Sequence, residues 1–133
     1  MPLTIKGLCP LLQVFDMPTS LAFYRDRLGF EIVDRSRPAD DADWVWLRHG
    51  PAELMLNTRY ERQHRPPQPD PAAVAAHDDT CLYFGCPDVD AAYAELAARG
   101  LDLQPPTVAP YGMKQLYLHD PDGYDLCFQW RAD

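Results

Sequence analysis

"CPLLQVFDMPTSLAFYRDRLGFEI" (residues 9–32) decides the fold, because "CLYFGCPDVDAAYAELAARGLDL" (residues 81–103) repeats its plan. Each stretch opens on a short apolar run, passes an Asp, turns helical and stops at a Gly followed by an apolar residue. In the first, the helix is expected from about Pro18 to Leu28. Asp16 precedes it as a capping type, Pro18 suits a first turn, and Leu21, Tyr24 and Leu28 share a face. Gly29 supplies the left-handed stop. In the second, Asp88 is the N-cap, Val89, Ala92, Tyr93 and Leu96 form the apolar stripe, and Gly100 ends the helix at about Arg99.

Working outward, each helix is followed by extended chain. "FEIVDRS", "DWVWLRH" and "AELMLN" read as three strands in the first half, with His49-Gly50-Pro51 turning the last two. In the second half "LDLQPP" reads as a weak strand, and "KQLYLH" and "YDLCFQW" flank an Asp-Pro-Asp-Gly turn. The order is strand, helix, strand, strand, strand, twice. The offset between copies is about 72 residues early on and about 74 in the last strand. The expected layout is a first βαβββ module over 1–57, a linker over 58–79 and a second module over 80–133. The linker, "TRYERQHRPPQPDPAAVAAHDD", carries four prolines that exclude regular structure, with room for a short helix in "DPAAVAAHD". Its arginines, Arg59, Arg62 and Arg65, read as a solvated stretch. The fold class is α+β: two βαβββ modules related by pseudo-two-fold symmetry, their sheets curling around a cleft.

One helix per module covers one face of each sheet, and the more apolar set should pack there. That set is Leu8, Pro10, Leu12 and Val14; Val45 and Leu47; Ala52, Leu54 and Leu56; Leu82, Phe84 and Cys86; Leu116 and Leu118; Leu126, Phe128 and Trp130. The opposite set mixes aromatic, thiol, amide and carboxylate groups, which suits a ligand-lined concavity or a second packing face such as an oligomer interface. It supplies the candidate ligand-binding residues Gln13, Trp44, Trp46, Arg48, Met55, Asn57, Tyr83, Gln115, Tyr117 and Gln129, joined by Tyr111 and Met113 from a loop at the cleft mouth. Trp44, Trp46, Tyr83, Tyr111 and Tyr117 would stack on a flat or planar-cationic molecule; each Trp would serve equally to pack an interface. Cys9 and Cys81 fall at equivalent first-strand positions, Glu53 and Cys127 at equivalent last-strand positions.

The chain holds 20 acidic and 12 basic residues, for a net charge of −8, and no basic stripe. Nucleic acid and anionic membranes are therefore poor partners. No apolar run reaches membrane-span length, and no charged-then-apolar leader opens the sequence, so a cytoplasmic location is expected. None of the four cysteines forms a C-x-x-C pair, so free thiols are expected.

Three of these stretches, "VFDMPTSLAFYRDRLGFEI" (14–32), "CPDVDAAYAELAARGLDL" (86–103) and "APYGMKQLYLHDPDGYDLCF" (109–128), resemble the vicinal-oxygen-chelate superfamily. That superfamily includes type-one glyoxalases, extradiol dioxygenases, fosfomycin-resistance thiol transferases and bleomycin-binding resistance proteins. The resemblance implies paired βαβββ modules, and commonly a homodimer. In metal-using members the ligands are His, Gln or Glu. The matching positions are Cys9, Glu53, Cys81 and Cys127, of which only Glu53 is a usual ligand type. Three thiolates and a carboxylate would make a closed tetrahedral zinc site, poor for a mechanism that needs substrate on the metal. Otherwise the thiols only fill the space, as in metal-free binding members.

Glu53, in a partly apolar cleft, would serve as a general base if its pKa is raised, or would be held by an amide such as Gln129 or Gln13. The leading expectation is a bleomycin-resistance-like binding protein. It would sequester or modify an aromatic or polar metabolite, with no cofactor. The alternative is a glyoxalase-like lyase or dioxygenase-like enzyme using Glu53 and a divalent metal. A pure interaction module would leave the inward polar residues unexplained.

Overall fold

The computed structural model describes residues 2–133. The chain forms two compact units, 1–66 and 67–133. Unit 1 contains β1 (Leu11–Val14), α1 (Met17–Leu21), β2 (Glu31–Arg35), β3 (Trp44–His49) and β4 (Ala52–Thr58). Unit 2 contains α2 (Pro71–Ala76), then β5 (Cys81–Gly85), α3 (Val89–Ala98), β6 (Thr107–Val108), β7 (Met113–His119) and β8 (Asp125–Arg131). The sheet orders, β1-β4-β3-β2 and β5-β8-β7-β6, match. In each, the first strand runs parallel to the last and the others pair antiparallel. These are the two βαβββ modules of an α+β fold.

Asp16 caps α1 through the Thr19 backbone N–H at 3.1 Å, and Asp88 caps α3 through that of Ala91 at 3.0 Å. Beyond Leu21 the first helix widens into a π-helical stretch, Ala22–Arg27. The wider turn brings two consecutive aromatics inward: Phe23 and Tyr24 are both buried, ring centroids 5.0 Å apart and edge-to-face. Leu21, Tyr24 and Leu28 are buried as their spacing predicts, together with Leu12, Val14, Val45, Leu47, Leu54 and Leu56. Full burial of one such side chain contributes roughly 1.5–3 kcal/mol. In unit 2 the buried apolar set is Val89, Leu96, Leu116, Leu118, Tyr124, Leu126 and Cys127.

Three expectations fail. Leu8 is exposed because β1 begins only at Leu11. "LDLQPP" (101–106) forms no strand; two prolines remove its donors, and the short β6 follows them at Thr107–Val108. Trp130 is exposed rather than core; it lies at the end of β8, where its neighbour on β7, Lys114, reaches across to Asp90 in the first turn of α3 at 2.5 Å. The arginines after β4 are exposed, as a solvated stretch should be, and two of them are paired: Arg62 with Asp41 and Arg65 with Asp16, stitching that segment onto unit 1.

Within unit 2, α2 docks on the β7–β8 turn. Asp70 caps it, and His77 at its end stacks on Tyr124 at 4.0 Å and donates from Nδ1 to the Asp122 carbonyl at 2.7 Å. Gly123, at φ 87°, lies so close beneath that a Cβ would stand 2.6 Å from the Val74 carbonyl oxygen. Among the described residues no helix is long and apolar enough to cross a membrane.

Candidate functional site

The strand registers sort the inward side chains into rows. In unit 1 one row is Gln13–Asn57–Trp44 and the next is Leu11–Met55–Trp46. Glu53 and Arg48 face each other in the third. The Met55 N–H bonds to the Pro10 carbonyl at 2.8 Å, and the same register carried back sets Cys9 beside Glu53. The thiol of Cys9 is pushed up by burial and then by the Glu53 charge. Seven candidates thus share one face: Gln13, Trp44, Trp46, Arg48, Glu53, Met55 and Asn57. Asn57 turns its amide to the neighbouring Thr58 carbonyl at 3.3 Å, and the indole nitrogen of Trp46 is buried with no partner among the described residues.

Unit 1 also has a hollow of about 290 Å³ lined by Phe15, Asp16, Asp43, Tyr60, Arg62 and Arg65 among others. Both of its arginines are spent on aspartates, and Arg65 also lies over the Phe15 ring at 5.2 Å. Burial would raise Asp16, but bonds from Thr19 and Arg65 outweigh it and hold the carboxyl below its ordinary range.

Unit 2 is organised differently. Its rows are Cys81–Asp125–His119, Tyr83–Cys127–Tyr117 and Gly85–Gln129–Gln115–Thr107. The second and third rows are joined by hydrogen bonds. The Tyr83 and Tyr117 hydroxyls meet at 3.2 Å, and Tyr117 donates to Gln115 Oε1 at 3.2 Å. Gln115 Nε2 donates to Gln129 Oε1 at 2.9 Å and to the Tyr111 hydroxyl at 2.8 Å. Gln115 is only 5% exposed, whereas Tyr111, Tyr83 and Tyr117 are 69%, 53% and 46% exposed. A buried amide therefore anchors three phenols that present ring and oxygen to the outside. The bond to Tyr83, with burial adding to it, holds the Tyr117 phenol well above its ordinary range, so it stays protonated. Met113 lies one row further along, opposite Arg131.

Two expectations about this face need correction. Cys127 does lie in the inward row, but it is fully buried beneath the tyrosines and does not line a surface. Nor is it the counterpart of Glu53. Leu11 pairs with Met55 as Tyr83 pairs with Cys127, so Glu53 corresponds to Asp125, which sits beside Cys81. By register the offset in the last strand is 72, as in the first, and not about 74. Alternation puts Asp125 and His119 on this face; their contact, Nδ1 to Oδ1 at 2.5 Å, is legible only from the cross-strand register.

The donors fit a metal poorly. Among the described residues no three His, Cys, Asp or Glu side chains gather as a ligand set. All four cysteines are free, and burial is the leading cause pushing each thiol above its ordinary range, so the thiolate a metal needs is disfavoured. The row Cys81–Asp125–His119 is no nucleophilic triad either. The carboxylate lies between thiol and imidazole, so no base reaches the sulfur, and the Asp125 charge raises the thiol further.

The family model for the Glyoxalase/Bleomycin resistance protein/Dioxygenase superfamily matches residues 8–128. The chain belongs to this superfamily. No curated protein matches the sequence. Among solved structures, SMU.1112c is 27% identical, with 96% of this chain and 100% of that one covered and a TM-score of 0.74. The bleomycin-binding protein from bleomycin-producing Streptomyces verticillus, complexed with copper(II)-bleomycin, is 22% identical, with 96% and 97% covered and a TM-score of 0.68. TnmS3, an antibiotic binding protein from Streptomyces sp. CB03234, is 21% identical, with 98% and 99% covered and a TM-score of 0.69. At these last identities the likeness speaks for the fold.

Proposed function

We propose that this superfamily member is a small-molecule-binding protein that holds an aromatic or polar metabolite without a metal. The observation that carries this reading is the phenol–amide network of unit 2. A buried Gln115 fixes Tyr83, Tyr111, Tyr117 and Gln129 in place, so part-exposed rings are presented at little further entropic cost on binding. Titratable chemistry is muted on the same face, since Cys81 and Cys127 are both raised and Asp125 is engaged by His119. In unit 1, Glu53 faces a protonated thiol and an arginine, company that does not make it a base. That favours binding over a lyase or dioxygenase reaction. The bleomycin-binding and antibiotic-binding neighbours support the same class. Free cysteines throughout fit a reducing, cytoplasmic setting, and a homodimer is the assembly we expect from the family resemblance.

The test is NMR titration with a library of aromatic small molecules. Binding should shift the amides of β5, β7 and β8 around Tyr83, Gln115 and Gln129 and leave α2 undisturbed. A library with no such response would end the reading. Elemental analysis of protein purified without added metal is the companion test. Stoichiometric metal that disappears in a Cys81→Ala/Cys127→Ala variant would overturn the metal-free part.

A further inference from the structure

The network of unit 2 has a direction, and the direction names a ligand class. Gln115 is buried, so its amide should leave neither hydrogen nor oxygen unpaired. With Nε2 toward Gln129 and Tyr111, both amide hydrogens are used and Oε1 takes the Tyr117 proton. The flipped amide would leave one buried N–H without an acceptor, which costs the full desolvation of that group. Tyr117 gives its hydrogen to Gln115, while its bond with Tyr83 can run either way.

The free valences at the ends follow. Gln129 Oε1 is occupied, and its amide nitrogen has two hydrogens without a partner among the described residues. The Tyr111 oxygen accepts from Gln115, so its own hydrogen is unused. The face therefore ends in donors at Gln129 and Tyr111, both tethered to one nitrogen. Side-chain cations do not reinforce the donors: the ring of His119 is tied to Asp125, and the guanidinium of Arg131 lies 5.9 Å from the Trp130 ring.

Resting on the binding reading above, we infer that this site selects an uncharged, planar ligand bearing a carbonyl oxygen, seated between Gln129 and Tyr111. A carboxylate finds the donors but no balancing charge, in a chain of net charge −8.

The experiment uses the full chain and matched three-ring probes: fluorene, fluorenone and a fluorene carboxylate, with affinities from NMR titration. Fluorenone should bind about tenfold more tightly than fluorene, the worth of one net hydrogen bond. The carboxylate should bind more weakly than fluorenone. In Gln129→Leu with Tyr111→Phe the carbonyl preference should vanish, so that fluorene and fluorenone bind alike. Tyr111→Phe alone keeps the ring and removes one donor; it should lower the preference part-way. If fluorene and fluorenone bind the natural chain equally, the polarity inference falls and the binding site stands. If none of the three binds, both fall.

Discussion

Glu53 and Asp125 occupy the same place in two copies of one sheet, each beside a first-strand cysteine, yet they keep different company. Glu53 faces Arg48 across the β3–β4 pair, while Asp125 meets the His119 ring and adjoins a row of phenols and amides. The helix-facing positions tell the opposite story. Leu54 and Leu126 correspond, and both are buried beneath their module's helix. The difference shows how the repeat is divided. The face that makes the module fold is held to apolar types, and the inward face is free to change chemistry one row at a time.

The hardest blow to that comparison is at the buried positions. Leu54→Ala and Leu126→Ala should each cost about 2–5 kcal/mol, since neither site can collapse around a missing side chain. Urea unfolding of the two variants is the measurement. If one cost several times the other, the two helix faces would not be equivalent.

The hairpin turns come next, and here the units should diverge. Gly50 and Gly123 both have positive φ, at 56° and 87°. A Cβ at residue 50 would meet nothing within 4 Å, whereas one at residue 123 would strike the Val74 carbonyl. Gly50→Ala should therefore cost about 1 kcal/mol of backbone strain. Gly123→Ala should cost roughly 2–4 kcal/mol, because α2 must also shift. Thermal unfolding ranks the two, and hydrogen exchange in 71–76 should accelerate only in Gly123→Ala. Equal costs would mean that α2 does not bear on the turn.

What the sequence could and could not show follows the same division. Alternation and capping are local, so the strand–helix–strand–strand–strand order, the Asp16 and Asp88 caps and the inward set were all legible. Register and burial depth are not local. Cys127 was placed on the correct face, but only the crossing of Tyr83 and Tyr117 above it reveals that it is sealed. Trp130 alternates with core residues, yet it is exposed. The pairing of Gln115 with Gln129 needs a β7–β8 register that the turn at 120–124, three residues longer than that at 50–51, disguises. The wide turn after Leu21 leaves no mark in composition at all.

The smallest expected effect separates the two caps. Asp16→Ala and Asp88→Ala each remove a helix N-cap, worth about 1 kcal/mol. Asp16 also receives a bond from the Thr19 hydroxyl and pairs with Arg65 at 2.6 Å, so its loss should exceed that of Asp88 by a few tenths of a kcal/mol, given the modest worth of a partly exposed pair. The excess has a pH signature. The Asp16 carboxyl lies below its ordinary value in the folded chain, so its contribution is complete above the unfolded pKa and drains away as pH falls through the folded one. The gap between wild type and Asp16→Ala should accordingly be constant near neutrality and narrow in acid, and 1 M salt should trim it by screening Arg65. A gap that widened on acidification would mean the carboxyl is held up by burial rather than down by its partners. The segment after β4 would then be a loose tether and not a stitched part of unit 1.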